Sequence, residues 1–151
     1  MGIFLVIVVL VLVVGIGIWF ANSQPRSSPA AVSANLPGPG TFEFGIVGES
    51  HYQDALEAIC GGRTEESAEY LTEAVLVLED TNPYDKMAVR VDINGETVGY
   101  LSKSNARAYR KQLHKLGHPD ITCECKAMVV GGWERFGDDR GSFGVKLDLP
   151  V

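Results

Sequence analysis

The two runs flanking Asn94 and Gly95 constrain the fold of this chain more than any other feature. MAVRVDI (residues 87–93) and ETVGYL (96–101) alternate apolar and polar positions, and both central residues tolerate the positive φ of a type I′ turn. The two runs therefore pair as a hairpin. Upstream, TFEFGIVGE (41–49) reads as a strand ending in a glycine turn. Ser50 is placed to cap a short helix through HYQDALEAIC (51–60) that stops at Gly61 and Gly62. Residues 63–70 read as a charged connection and EAVLVLED (73–80) as a strand. Downstream, Ser102 or Ser104 caps a second helix running to about Leu116, before Gly117 and Pro119. ITCECKAMVV (121–130) and FGVKLDL (143–149) read as strands joined by a Gly- and Asp-rich loop over 131–141. The pattern predicts a mainly β domain with two helices, closed into a small, partly open barrel. A parallel sheet would need a helix after nearly every strand.

The chain has 151 residues, so one small domain is the most it can build once its non-globular start is set aside. Residues 3–21 carry no charge and no proline, and as a helix they would extend about 28 Å, the thickness of a bilayer's hydrocarbon. A cleaved secretory signal would want a basic start and a shorter apolar core. The expectation is therefore an uncleaved, single-pass transmembrane helix over residues 1–21. Arg26 is the one Lys or Arg close to that segment, which favours a domain facing the cytoplasm. Three cysteines, Cys60, Cys123 and Cys125, are an odd count and do not read as a disulfide framework. Residues 22–40 are rich in Ser, Pro, Ala and Gly and carry a single charge, so they read as a disordered linker with a reach of roughly 24 Å. The folded domain is expected over 41–151.

Charge is unevenly spread around a net value of −6. Residues 41–80 hold ten acids and one base, whereas residues 81–118 hold seven bases and three acids. At helical spacing, Lys103, Arg107, Arg110, Lys111, His114, Lys115 and His118 fall on one arc, while Ala106, Tyr109, Leu113 and Leu116 form a separate apolar arc. No Asp or Glu lies between Leu101 and Pro119, so these bases have no partner one turn away. Such a face can contact phosphates and supply salt-dependent affinity. As local structure, NPYD (82–85) is a turn, because Pro83 fixes φ; as chemistry, it leaves an aromatic ring and a carboxylate at the tip.

Three segments, IVGESHY (46–52), LVLEDTNPYDKMAVRV (76–91) and GETVGYL (95–101) followed by a helix, resemble a HIRAN domain, including the stand-alone bacterial type. The likeness covers about residues 41–116. It implies an OB-like β-barrel and, from the helicase members of the family, capture of the 3′ end of single-stranded DNA. Carried onto this chain, it implies that Tyr84 stacks on a terminal base and Asp85 accepts a hydrogen bond from a 3′-hydroxyl. Lys86 and the helix bases Lys103, Arg107, Arg110 and Lys111 would then hold the backbone, and Asn82 of the same turn is counted with the nucleic-acid-binding residues. Tyr52, His51 and Tyr100 are the further residues expected to line the pocket. The sequence also departs from the family pattern: Glu49, Ser50, His51 and Tyr52 follow Gly48 where DNA-binding members carry an Arg. That departure supports an alternative, a protein-interaction module on the same barrel that has lost the DNA site.

Other chemistries fit less well. His114, His118, Cys123 and Cys125 form H-x3-H-x4-C-x-C, a set of possible zinc ligands, but C-x-C within a strand equally places two side chains on one face. Otherwise no cofactor is implied. Ser50, His51 and Asp54 are the residue types of a triad but too close in sequence to face one another, so they read as helix-start residues. No G-x-x-x-x-G-K-[ST] is present and the chain is too short for a motor, so a non-catalytic module is expected. Trp133, Phe136 and Phe143 are expected to pack in the core or its loops.

Overall fold

The computed structural model describes residues 30–150. The strands are β1 (Ala34–Leu36), β2 (Phe44–Gly45), β3 (Ala68–Leu78), β4 (Val89–Ile93), β5 (Glu96–Tyr100), β6 (Cys123–Gly131) and β7 (Phe143–Asp148). Two helices, α1 (Gln53–Cys60) and α2 (Lys103–Lys115), and a 3-10 turn over Glu49–His51 complete the domain. The sheet runs β2-β7-β6-β3-β4-β5, with β1 parallel to β6 and the other pairs antiparallel. It curls into a half-barrel whose ends approach each other. Val47, just beyond β2, exchanges both backbone hydrogen bonds with Tyr100 of β5, at 2.8 and 2.9 Å. The mainly β fold with two helices is thus as expected.

The hairpin forms as its sequence dictates, with Asn94 at φ 52° and Gly95 at φ 78°. A bulge between Val91 and Asp92 shifts the register of β4 against β5. Gly99 sits where the sheet closes. A Cβ there would lie 2.6 Å from the Val47 carbonyl oxygen, so only glycine lets the Val47 backbone reach Tyr100. The core is built from Leu56, Leu76, Val89, Val91, Ile93 and Leu147, all fully buried. Each such side chain contributes roughly 1.5–3 kcal/mol by leaving water.

Local expectations fail in five places. Ser50 does not cap α1; Tyr52 occupies that position without a side-chain bond, and the helix does stop at Gly61 with φ 77°. The Gln53 amide instead bridges to the Phe143 backbone, donating to its carbonyl at 3.0 Å and accepting from its N–H at 2.8 Å. β3 begins at Ala68, inside the stretch read as a connection, because β6 is long enough to pair with all of it. Part of the linker range is structured too. β1 lies within it, and the buried Asp148 carboxylate accepts the N–H groups of Gly40 at 2.8 Å and Thr41 at 3.2 Å. Leu116, placed on the apolar arc of the helix, and Phe136, expected to pack in the core or its loops, are both exposed, Leu116 where the helix ends and Phe136 in the loop between β6 and β7. Phe143 is buried beneath the Arg63 guanidinium, 4.7 Å from the ring centre.

The proposed transmembrane helix and residues 22–29 of the linker lie outside the described residues. Among those described, no helix is long and apolar enough to cross a membrane.

Candidate nucleic-acid interface

NPYD closes the connection from β3 to β4 as an asparagine-nucleated turn. Asn82 Oδ1 accepts the N–H groups of Tyr84 at 2.9 Å and Asp85 at 3.1 Å, so one side chain satisfies two donors that the turn would leave bare. Asp85 continues the motif, with Oδ1 accepting from the Met87 N–H at 2.9 Å. The turn holds its own shape, and it leaves Tyr84 94% exposed with its ring in solvent.

A polar chain anchors the turn to the sheet. Asn82 Nδ2 donates to Glu79 Oε2 at 2.9 Å, and Glu79 Oε1 accepts from Arg90 Nη1 at 2.8 Å. Arg90 grips Asp92 through two bonds of 2.8 Å, and Thr97 of β5 donates to the same carboxylate. Burial alone would raise the Glu79 pKa. The Asn82 and Arg90 hydrogen bonds and the Arg90 charge outweigh it and hold Glu79 below its ordinary 4.5. The bond to Asp92, joined by Glu79, outweighs burial at Arg90 and raises its pKa, so the guanidinium stays charged.

Tyr100 brings the second cluster in. Its pKa is pushed up to about 12, by burial first, then by the Glu79 charge and by Tyr52. Tyr52, Tyr100, Glu79 and Asn82 therefore form one neighbourhood. His51, exposed, sets its ring edge-on to Tyr52 at 6.5 Å. Glu49 is half-buried, with its carboxylate beside Gly144 of β7.

Helix α2 supplies the cationic side. Ser102 caps it, with Oγ accepting the Asn105 N–H at 3.2 Å. Arg107 Nη1 lies 3.7 Å from Asp85 Oδ2, which sets the helix beside the turn. Lys86, Lys103 and Lys111 are exposed and form no ion pair among the described residues. Arg110 does not belong to that free face. It is buried, donating to the carbonyls of Met87 at 2.9 Å and Ala88 at 2.9 Å and to Asp80 Oδ1 at 2.7 Å. It staples the helix to the end of the turn, a task that the helical spacing did not reveal because its partners lie 22 to 30 residues away.

Asp85 has one oxygen spent on the turn and one, Oδ2, without a hydrogen bond among the described residues. A carboxylate oxygen of this kind accepts a hydroxyl, while the adjacent Arg107 favours an anion beside it. Glu79 and Arg90 were missed in the sequence. Their signal was present as Arg90 and Asp92, two polar residues at i and i+2 on an otherwise apolar strand.

The candidate zinc ligands are not brought together. Cys123 and Cys125 point into the core, where burial first, and then neighbouring acids and Cys123, push Cys125 up to about 12. The Tyr109 hydroxyl is buried against them, with no hydrogen-bond partner among the described residues. His114 and His118 are exposed near the end of α2. Among the described residues no group of three or more His, Cys, Asp and Glu side chains is placed to hold a metal.

Fold and site define a small curled β-domain that presents an aromatic and acidic turn beside a cationic helix. The family model described as HIRAN domain matches residues 39–131, more than half of the chain, so the chain belongs to the HIRAN domain family. That membership points to nucleic-acid binding as the class of activity. No curated protein and no solved structure matches the chain.

Proposed function

We propose that this protein is a non-catalytic module that captures the 3′ end of single-stranded DNA, held at a membrane by residues 3–21 with its domain facing the cytoplasm. The observation that carries the binding reading is Tyr84, an almost fully exposed ring next in sequence to Asp85, whose half-buried carboxylate keeps Oδ2 free of hydrogen bonds among the described residues and 3.7 Å from Arg107. In this reading the ring stacks on the terminal base, Oδ2 accepts the 3′-hydroxyl, and Arg107, Lys86 and Lys103 take the preceding phosphates. A 3′-phosphate would bring a dianion against Asp85 and bind less well. Support for the anchor is sequence alone, the charge-free run of residues 3–21 followed by Arg26.

The test is fluorescence anisotropy of the full chain with labelled single strands ending in 3′-hydroxyl or 3′-phosphate, at two salt concentrations. The hydroxyl end should bind more tightly and Tyr84→Ala should lose about 5- to 150-fold in affinity, the cost of about 1–3 kcal/mol of stacking. Equal binding of the two ends would overturn end capture. Failure to bind at low salt would favour the second reading, a protein-interaction barrel. Glu49 standing where an Arg was expected supports that alternative.

A further inference from the structure

β3 is longer than its partner β4. Their register runs from Val75↔Asp92 to Leu78↔Val89 and stops there, whereas β3 stays paired with β6 back to Ala68. The Glu79 N–H donates to the Ala88 carbonyl, so odd-numbered residues of β3 turn their backbone groups towards β4 and even-numbered ones towards β6. Before Val75 the β4 side is open. The N–H and C=O groups of Glu69, Leu71 and Glu73 therefore point outward with no backbone partner among the described residues. Their side chains are exposed as well, Leu71 at 64%. A groove of about 700 Å³ lies over the adjoining face of the sheet, lined by Leu71, Glu73 and Asn94, by Lys126 of β6 and by the 35–40 segment.

Proteins ordinarily blunt such an edge with charged side chains, proline or a bulge; residues 69–73 hold no proline, and their two charges, Glu69 and Glu73, are both acidic, which disfavours a like-charged strand and leaves a basic one. The side chains define the occupant. A second copy pairing antiparallel about Leu71 would set Glu69 against Glu73 of its partner, and like charges directly opposite are destabilising. Glu65 and Glu66 precede the strand and add to the acidity. Lys126 is the base opposite Glu73 in β6, and it forms no ion pair among the described residues.

We propose that this edge of β3 is a docking site for an extended basic peptide, which adds as a further strand with an apolar residue against Leu71 and cations two residues to either side. Backbone hydrogen bonds give the affinity, and the two glutamates give the register and sign. The site is separate from the NPYD turn, which lies at the other end of β3, so it does not depend on the nucleic-acid reading.

Full-length chain is titrated with a labelled strand peptide containing Lys-Thr-Val-Thr-Lys, with the same peptide N-methylated at Val, and with a Glu-Thr-Val-Thr-Glu version. The lysine peptide should bind one to one, and N-methylation should weaken it roughly tenfold by removing backbone bonds. Glu69→Lys/Glu73→Lys, a change confined to exposed side chains, should reverse the preference to the glutamate peptide. No binding of the lysine peptide, indifference to N-methylation, or an unchanged preference in the double variant would overturn the proposal. So would peptide-independent association of the protein through this edge, which marks a second copy as the occupant, or peptide binding that appears only after residues 1–29 are removed, which marks this chain's own start.

Discussion

Tyr84 and Arg110 sit a short distance apart in sequence and do opposite work. Tyr84 touches almost nothing, so its replacement belongs to ligand affinity; Arg110 is surrounded, so its replacement belongs to stability. Arg110→Ala strips two carbonyls and Asp80 of a charged donor and should cost about 2–3 kcal/mol, read by urea denaturation. An unchanged midpoint would remove its role as a staple. Tyr100 gives a second prediction. A group whose folded pKa is raised supports the fold below its ordinary pKa and loses that support as pH rises through the folded value. Tyr100, ordinarily near 10.0 and here about 12, should make the domain less stable between those values, as its phenolate would form beside Glu79. Tyr100→Phe should flatten the alkaline limb of the stability profile. Cys125 adds to the same limb from a start near 9.0.

Among the elements, those governed by local rules were legible in the sequence. The Asn94-Gly95 hairpin, the Ser102 cap of α2 and the Gly61 stop of α1 each depend on residues within one turn of one another. What escaped depends on partners far away. β3 starts at Ala68 because β6 extends to meet it, and β1 forms because β6 has an open edge beyond the end of β7. Arg110 falls on the cationic arc of a helical wheel, yet the loop ending at Ala88 covers it. The role of Gly99 was likewise invisible until the Val47 carbonyl was placed beside it. Gly99→Ala should force that strand closure apart, costing roughly 1–3 kcal/mol, and should loosen Tyr52 from Tyr100. Thermal denaturation together with loss of amide protection at Val47 and Tyr100 checks this; protection retained at both would show that the closure does not depend on glycine.

At the scale of the whole molecule, the division of charge along the sequence becomes a division in space around the half-barrel. The β3 edge, at residues 69–73, carries acids. The NPYD turn and helix α2 carry Lys86, Lys103 and Lys111, which form no ion pair among the described residues, and Arg107. A net charge of −6 therefore coexists with a local cationic face, and the sign of the whole says little about the ligand of a part. The candidate site was legible as residue types at NPYD and along α2. Its wiring through Glu79 and Arg90 was not, since it joins β3, β4 and β5 only after folding.

The central claim is that the turn takes a free end rather than the interior of a strand. Its most direct measurement is competition between a linear single strand with a 3′-hydroxyl and a circular strand of the same length and sequence for the full chain at moderate salt. The account predicts that the linear strand displaces a bound labelled probe and the circle does not; equal displacement by the circle would contradict it.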